Sequence, residues 1–190
     1  MATFRVPEDV SVDAFFSEYV PSQFGDLIAG ADLSSLKGKV ITIQFDISGK
    51  KYCLKITDGT NLEVIKDGVD KPMLTLALSE KDWRDSVTGK IEGLIDQFTD
   101  PAQIADVKRL NTLSSTKGAC TMEIKKSDGT NIPVTMIFNG EDKPAVTLNL
   151  DLPDWIAMQK KETTGQALFM NGKLKFTGDM VLLMKLQTMM

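Results

Sequence analysis

Alternating apolar and polar residues predict four strands in the first part of the chain. Residues 40–47, VITIQFDI, carry isoleucine and phenylalanine on one side and threonine, glutamine and aspartate on the other, which is typical of a half-buried strand. A Ser-Gly-Lys turn leads into a partner strand over 51–57, and an Asp-Gly turn leads into a third strand over 61–67. A fourth strand is predicted over 73–78, where leucine occupies alternate positions.

Helical spacing of apolar residues predicts helices on both sides of these strands. A first helix is expected to begin at Ser11, an N-cap residue, and to end at Pro21. The pattern then predicts helices over 79–87, with serine as the cap, and over 91–98. An Asp-Pro pair predicts a further helix over 100–110, since proline is favoured at the first helical position.

Two sequence matches in the same order indicate an internal duplication. The segment KPMLTLALSEKDW at 71–83 returns as KPAVTLNLDLPDW at 143–155, with seven of thirteen positions identical. Asp-Gly-Thr-Asn occurs at 58–61 and again at 128–131. Strands are expected over 119–126 and 132–138, before the second copy of the longer segment. We therefore interpret the chain as two related half-repeats, each a strand–strand–strand–helix unit.

The second half ends in a pattern with no equivalent in the first half. A helix is predicted over 152–160, then a short apolar segment at 166–170, and then a strand within GKLKFTG at 172–178. Asp179 can cap a last helix, DMVLLMKLQTMM, which is apolar on nearly every side. Such a helix needs a cover of protein, partner or ligand.

Composition excludes several functional classes. The 190-residue chain contains no histidine, which removes the commonest general base and metal ligand. Its net charge of −4 disfavours nucleic acid. No stretch is long enough to span a membrane, so no stable insertion is expected. Cys53 and Cys120 lie in apolar runs and are expected to be buried thiols. We expect a cytoplasmic protein without metal, cofactor or catalytic residues.

The methionines of the last helix allow two interpretations. Four of the ten methionines lie between 180 and 190, and methionine can line a cavity that accepts ligands of different shape. It also fills gaps in ordinary cores. Composition alone favours the core interpretation over a ligand wall.

The closing segment resembles the sterol carrier protein type 2 family. The resemblance rests on ALFMNGKLKFTGDMVLLMKLQ at 167–187, which is similar to the family's short LF turn, GKLKI-type strand, Gly-Asp turn and methionine-containing helix. It is strongest over 140–187 and looser over 38–100. It implies an α+β fold, with a mostly antiparallel curved sheet, helices on one face and an apolar cavity between them. It also implies non-catalytic binding of a fatty acid, acyl-CoA, sterol or phospholipid.

The resemblance also implies which side chains line the cavity. The positions matching the family's closing motif, and the helix before it, are Trp155, Met158, Phe169, Leu174, Phe176, Met180, Leu183 and Met184. Weaker candidates in the first half-repeat are Trp83 and Phe98. Plain core packing stays an equal alternative for each of them.

The domain organisation departs from a single family module, because neither half is complete. We expect an N-terminal helical segment at 1–37, a first repeat at 38–110, a linker at 111–118 and a second repeat at 119–190. The second repeat shows no clear counterpart of strand 40–47. Because each half needs elements from the other, we expect one unit. The number of cavities, one or two, stays open.

Three functions remain to be separated. The first is lipid binding or transfer in the cavity. The second is protein interaction, including a homodimer, through the apolar C-terminal helix. The third is an enzyme of unfamiliar type, which without histidine would depend on carboxylate, lysine or tyrosine chemistry. Lipid that stays bound to the purified protein would favour lipid binding. A dimer that dissociates when residues 179–190 are deleted would favour protein interaction. A strongly shifted pKa in the cavity favours the third.

Overall fold

The computed structural model describes residues 4–91 and 105–187. The described residues form an α+β fold around an open eight-stranded sheet with the order β3-β2-β1-β4-β6-β5-β7-β8. Five strand pairings are antiparallel, and two, β1 with β4 and β5 with β7, are parallel. The predicted fold class, α+β with a mostly antiparallel sheet, is therefore confirmed.

The strands follow the predicted order along the chain. They are β1 (Val40–Ile47), β2 (Lys50–Thr57), β3 (Asn61–Lys66), β4 (Leu74–Leu78), β5 (Gly118–Lys125), β6 (Asn131–Phe138), β7 (Ala145–Asp151) and β8 (Lys175–Gly178). The described helices are α1 (Val12–Ala14), α2 (Val20–Ile28), α3 (Glu80–Val87), α4 (Val107–Ser115), α5 (Leu152–Gln159), α6 (Gly165–Met170) and α7 (Met180–Gln187).

The strand register gathers apolar side chains on one face of the sheet. Across the middle of the sheet, Phe45 lies opposite Leu76, and Leu76 lies opposite Met136. Met136 in turn lies opposite Cys120, which lies opposite Val146. All five side chains are buried. Since side chains alternate between the faces of a strand, this row marks the face on which the core is built.

The N-terminal helical segment continues beyond Pro21, so its predicted end is wrong. A π-helical segment, Phe15–Tyr19, connects α1 to α2. Its wider turns lie just before proline, which has no N–H to donate. Proline then occupies the first turn of α2, where a missing donor costs little. Ser11 caps α1 as predicted, because its hydroxyl accepts from the N–H of Ala14 at 3.1 Å.

Aromatic rings join this N-terminal segment to the first half of the sheet. The rings of Phe16 and Tyr52 stack with centroids 4.7 Å apart. Phe16 also lies 5.2 Å from Phe45, and Phe15 meets Trp83 of α3 edge to face at 5.3 Å. The space above this part of the sheet is therefore occupied by the chain's own aromatic residues.

Helix α4 begins and ends later than the sequence predicts. The helix predicted over 100–110 begins at Val107, after the N-cap Asp106, and ends at Ser115, and β5 begins at Gly118. Most of the segment interpreted as a linker, 111–118, is thus part of a helix or a strand. The amide of Asn139 fixes the helix end by donating to the carbonyl oxygens of Leu113 and Thr116, each at 2.8 Å. The predicted helix over 91–98 lies outside the described residues after its first position.

Strand pairing relates the two halves differently from the shorter of the two sequence matches. In the first half β1 pairs with both β2 and β4, and in the second half β5 pairs with both β6 and β7. Strand β5 therefore has the position of β1, so the predicted lack of a counterpart for strand 40–47 is wrong. The two Asp-Gly-Thr-Asn turns connect non-equivalent pairs, since 58–61 joins β2 to β3 and 128–131 joins β5 to β6.

The two halves share one sheet through the pairing of β4 with β6. Strand β3 lies at one outer edge and β8 at the other. Within the described ranges, no helix is both long and apolar enough to cross a membrane.

Candidate functional site

Capping residues fix the elements of the C-terminal region. The hydroxyl of Thr164 accepts from the N–H of Ala167 at 3.1 Å and begins α6. A carboxylate oxygen of Asp179 accepts from the N–H of Leu182 at 2.7 Å and begins α7, as predicted. The N–H of Asp179 donates to the carbonyl oxygen of Ala145 at 2.9 Å. The start of α7 is therefore tied to the start of β7, and the helix is set against the sheet.

Four of the predicted cavity residues are buried. Trp155 and Met158 lie on the inner side of α5, Leu174 precedes β8, and Leu183 lies on the inner side of α7. All four belong to the core around the sheet. The structure therefore brings these residues into the apolar layer between α5, α7 and the sheet.

The other four residues lie further out. Phe176 is half-buried and opposite Leu148, and its ring contacts that of Phe169 with centroids 5.6 Å apart. Phe169, Met180 and Met184 are 46%, 59% and 63% exposed. Their assignment to a ligand wall stays a prediction.

The first-half candidate Trp83 lies in a different environment. Its side chain is fully buried beneath Phe15 and Phe16. Among the described residues, no acceptor lies within hydrogen-bonding distance of its indole N–H. Phe98 lies outside the described residues.

A pocket of about 460 Å³ opens beside this apolar layer. Met158 is its one large apolar lining residue. Gly165 also lines it, and the other lining residues are polar: Lys161, Thr163, Thr164, Gln166 and Gln187. These residues come from the end of α5, the start of α6 and the end of α7. The sequence analysis missed the polar lining. The run KKETTGQ at 160–166, between two apolar helices, is the signal that could have indicated it.

A second pocket, of about 330 Å³, lies at the other half of the sheet. It is lined by Asp13, Gly49, Lys50, Lys51, Tyr52, Lys66 and Asp67. The hydroxyl of Tyr52 donates to Asp13. Burial, and then the hydrogen bond to Asp13, raise the pKa of Tyr52 to about 12. The same hydrogen bond lowers the pKa of Asp13.

The two thiols are buried, as predicted. Burial raises the pKa of Cys53 to about 11 and that of Cys120 to about 12. A thiol is nucleophilic as the thiolate, so both cysteines are inert at neutral pH. In the part of the chain that the structure describes, no group of histidine, cysteine and carboxylate side chains is arranged to hold a metal ion.

A family comparison identifies the group to which this C-terminal region belongs. The sequence profile of the SCP-2 sterol transfer family matches residues 93–190, just over half of the chain. The chain belongs to the SCP-2 sterol transfer family. The matched part of this family member includes the pocket of about 460 Å³ and all eight of the cavity residues predicted for the second half.

Three solved structures to which this chain is similar are sterol carrier proteins. Sterol carrier protein 2 like 2 from Aedes aegypti is 19% identical to this SCP-2 family member. The match covers 52% of this chain and 100% of the Aedes protein, with a TM-score of 0.35. Sterol carrier protein domain 2 of Helicoverpa armigera is 24% identical over 46% of this chain and 75% of its own, with a TM-score of 0.37. The apo form of sterol carrier protein 2 from Yarrowia lipolytica is 19% identical over 53% of this chain and 89% of its own, with a TM-score of 0.36. A search of curated proteins finds no match.

Proposed function

We propose that this protein binds a lipid non-catalytically and transfers it. Membership of the SCP-2 sterol transfer family supports lipid or sterol binding or transfer in general, and it is the observation that carries the proposal. The candidate ligands are a fatty acid, an acyl-CoA, a sterol and a phospholipid. Hiding apolar surface from water yields roughly 25 cal/mol per Å², so binding such a ligand requires no chemical step.

The proposed binding site lies between α5, α7 and the sheet. In our proposal the polar end of the ligand occupies the pocket of about 460 Å³, within reach of the lysine, threonine and glutamine side chains that line it. The apolar end passes Met158 and displaces leucines of α7. The volume lies within the range of roughly 300–1,000 Å³ that small-molecule sites have. The predicted wall residues Phe169, Phe176, Met180 and Met184 would then close over the ligand.

Packing in the first half supports one ligand rather than two. We further propose that the halves arose by duplication, because β1, β2, β4 and α3 have the same order and pairing as β5, β6, β7 and α5. Trp83 and Trp155 are the fourth residues of α3 and α5. In the first half the rings of Phe15 and Phe16 lie on Trp83, where a ligand would otherwise contact it.

Chemistry at the described residues supports a non-catalytic role. The chain has no histidine, and both thiols have raised pKa values. A cytoplasmic location stays a prediction from the sequence.

One observation favours a second candidate function, homodimerisation through α7. Met180, Val181 and Met184 leave an apolar stripe of this helix exposed. Burying such a stripe against a second copy is a common way for a helix to form a dimer interface.

Mass spectrometry of detergent-free protein tests the proposal. We expect the native mass to exceed the chain mass by one lipid, and we expect denaturation to release that lipid and identify its class. Delipidated protein should then bind one equivalent of a fluorescent fatty acid or sterol. A bare native mass, together with no binding of either probe, would overturn the proposal.

A further inference from the structure

The exposed apolar side chains of this protein are concentrated in one region. Among the described residues, seven large apolar side chains are exposed, and five of them lie within residues 169–184. We call these five the C-terminal apolar patch: Phe169 (46% exposed), Met170 (77%), Met180 (59%), Val181 (70%) and Met184 (63%). The other two, Val40 and Val107, are separate in the sequence. A concentration of this kind marks an interaction surface more often than a scatter of single residues does.

The patch is built on two consecutive helices and the strand between them. On α7, Met180, Val181 and Met184 share the outward side, while Leu182, Leu183 and Leu186 point into the core. On α6, Phe169 contacts Phe176 of β8. Helix α7 therefore packs on the core through its inner side, and the apolar side chains of its outer side are exposed.

Charge distinguishes the patch region from the rest of the protein. Residues 165–187, which span α6, β8 and α7, contain three lysines and one acidic residue, and one of these lysines, Lys173, is paired with Asp154 at 2.8 Å. This region therefore carries a net charge of +2, whereas the remainder of the chain carries −6. Lys175 on the outer strand β8 is exposed within this region. An apolar surface with surrounding lysines has the chemistry of a protein face that lies on anionic lipid headgroups.

We propose that the C-terminal apolar patch docks this protein reversibly on the surface of an anionic lipid bilayer. Its methionine, valine and phenylalanine side chains enter the boundary between headgroups and acyl chains, and the lysines face the lipid phosphates. A second copy is a poorer occupant. A two-fold contact through the same surface would bring the lysines of both copies together. The remainder of the chain, with its net charge of −6, repels the same membrane and keeps docking reversible.

Vesicle flotation tests the proposal with the full-length protein. Vesicles of phosphatidylcholine with 30 mol% phosphatidylserine, roughly a PS-rich leaflet, are compared with phosphatidylcholine alone at 0.1 M salt, where screening acts over about 10 Å. We expect at least a ten-fold preference for the anionic vesicles, and loss of that preference as salt increases. The proposal does not rest on lipid carriage, because flotation registers docking whether or not the protein holds a ligand.

Variants separate the patch from other surfaces. Met170→Glu and Val181→Glu each change an exposed side chain outside the predicted ligand wall, and each should reduce flotation at least ten-fold. Lys175→Glu should reduce it on anionic vesicles alone. The matched controls Val40→Glu, at a side chain that is 50% exposed, and Lys37→Glu should float like the original protein. Circular dichroism should show that all five variants are folded.

Two results would overturn the proposal. One is flotation that Met170→Glu and Val181→Glu leave unchanged. The other is absence of flotation on anionic vesicles. If sedimentation then shows a dimer that Val181→Glu dissociates, the patch belongs to the contact with a second copy of the chain.

Discussion

The ring of Phe16 stacks on the ring of Tyr52, with the two planes only 8° from parallel. The far end of Tyr52 leaves this apolar stack, and its hydroxyl donates to Asp13 in the first turn of α1. One side chain thus connects the aromatic core of the first half to a polar pocket at its surface.

Alkaline titration should detect this arrangement. The pKa of Tyr52 is raised from 10.0 to about 12, so folding favours the protonated phenol. Its contribution to the free energy of unfolding is complete below pH 10 and decreases as the pH rises towards 12. We expect Asp13→Asn to lower this pKa, as measured by phenolate absorbance. Tyr52→Phe should remove the phenolate transition near pH 12. If that transition persists in Tyr52→Phe, it belongs to another group.

The shared sheet predicts a single unfolding transition. The chain has two tryptophans, Trp83 in the first half and Trp155 in the second. Trp155→Phe therefore leaves a fluorescent reporter for the first half, and Trp83→Phe leaves one for the second. We expect each reporter to share its denaturation midpoint with circular dichroism of the same variant.

A substitution at the junction of the halves sharpens this test. Met136 lies opposite Leu76 across the β4–β6 pairing, and a buried Met→Ala change costs ~2–5 kcal/mol. Met136→Ala should lower the midpoint seen by both reporters by the same amount. Val40→Ala, at an exposed position, should change neither midpoint. A midpoint that falls for one tryptophan alone would show two independently folding halves.

Gly118 should tolerate no side chain. Its φ angle is +112°, and a Cβ atom there would lie 2.2 Å from the carbonyl oxygen of Pro144 and 3.0 Å from Leu182. Gly129 has a φ angle of +84° and no neighbour within 4 Å of a Cβ atom. Gly129→Ala should therefore cost only conformational strain, about 1–3 kcal/mol. Gly118→Ala should cost more, as measured by urea unfolding. Equal losses would show that the backbone at Gly118 moves aside.

Filling the pocket beside Met158 should prevent ligand binding. Met158→Trp enlarges the one large apolar lining residue of the pocket of about 460 Å³, so we expect affinity for a fluorescent fatty acid to fall at least ten-fold, about 1.4 kcal/mol. Met170→Trp makes the same change at a side chain that is 77% exposed and does not line this pocket. It should leave the affinity unchanged. If both variants bind like the original protein, the ligand lies elsewhere.

Local patterns in the sequence predicted the strands well. Strand 40–47 alternates without interruption, and its predicted bounds equal those of β1. The caps Ser11 and Asp179 were also predicted, because a cap depends on a hydrogen bond within three residues. The helix end at Pro21 was wrong, because a π-helical segment before the proline accommodates the missing donor.

Features that depend on distant residues could not be predicted from local patterns. No periodicity reveals that β4 pairs with β6, since that contact joins opposite halves of the chain. The two sides of α7 were also beyond prediction. Leu183 and Met184 are adjacent apolar residues of this helix, yet Leu183 is buried and Met184 is 63% exposed. In a helix that is apolar on all sides, only tertiary packing decides which side turns inward.

The pairing of Leu76 with Met136 also has a consequence for the order of folding. The residues of the two hairpins β1–β2 and β5–β6 are close in sequence, whereas this contact closes a loop of 60 residues. The entropy of loop closure must be overcome before such a contact yields any free energy. We therefore expect the hairpins to form early and the pairing of the halves to be the slow step. During that interval β4 and β6 each present unpaired backbone groups, so dilute conditions should improve the yield of refolding.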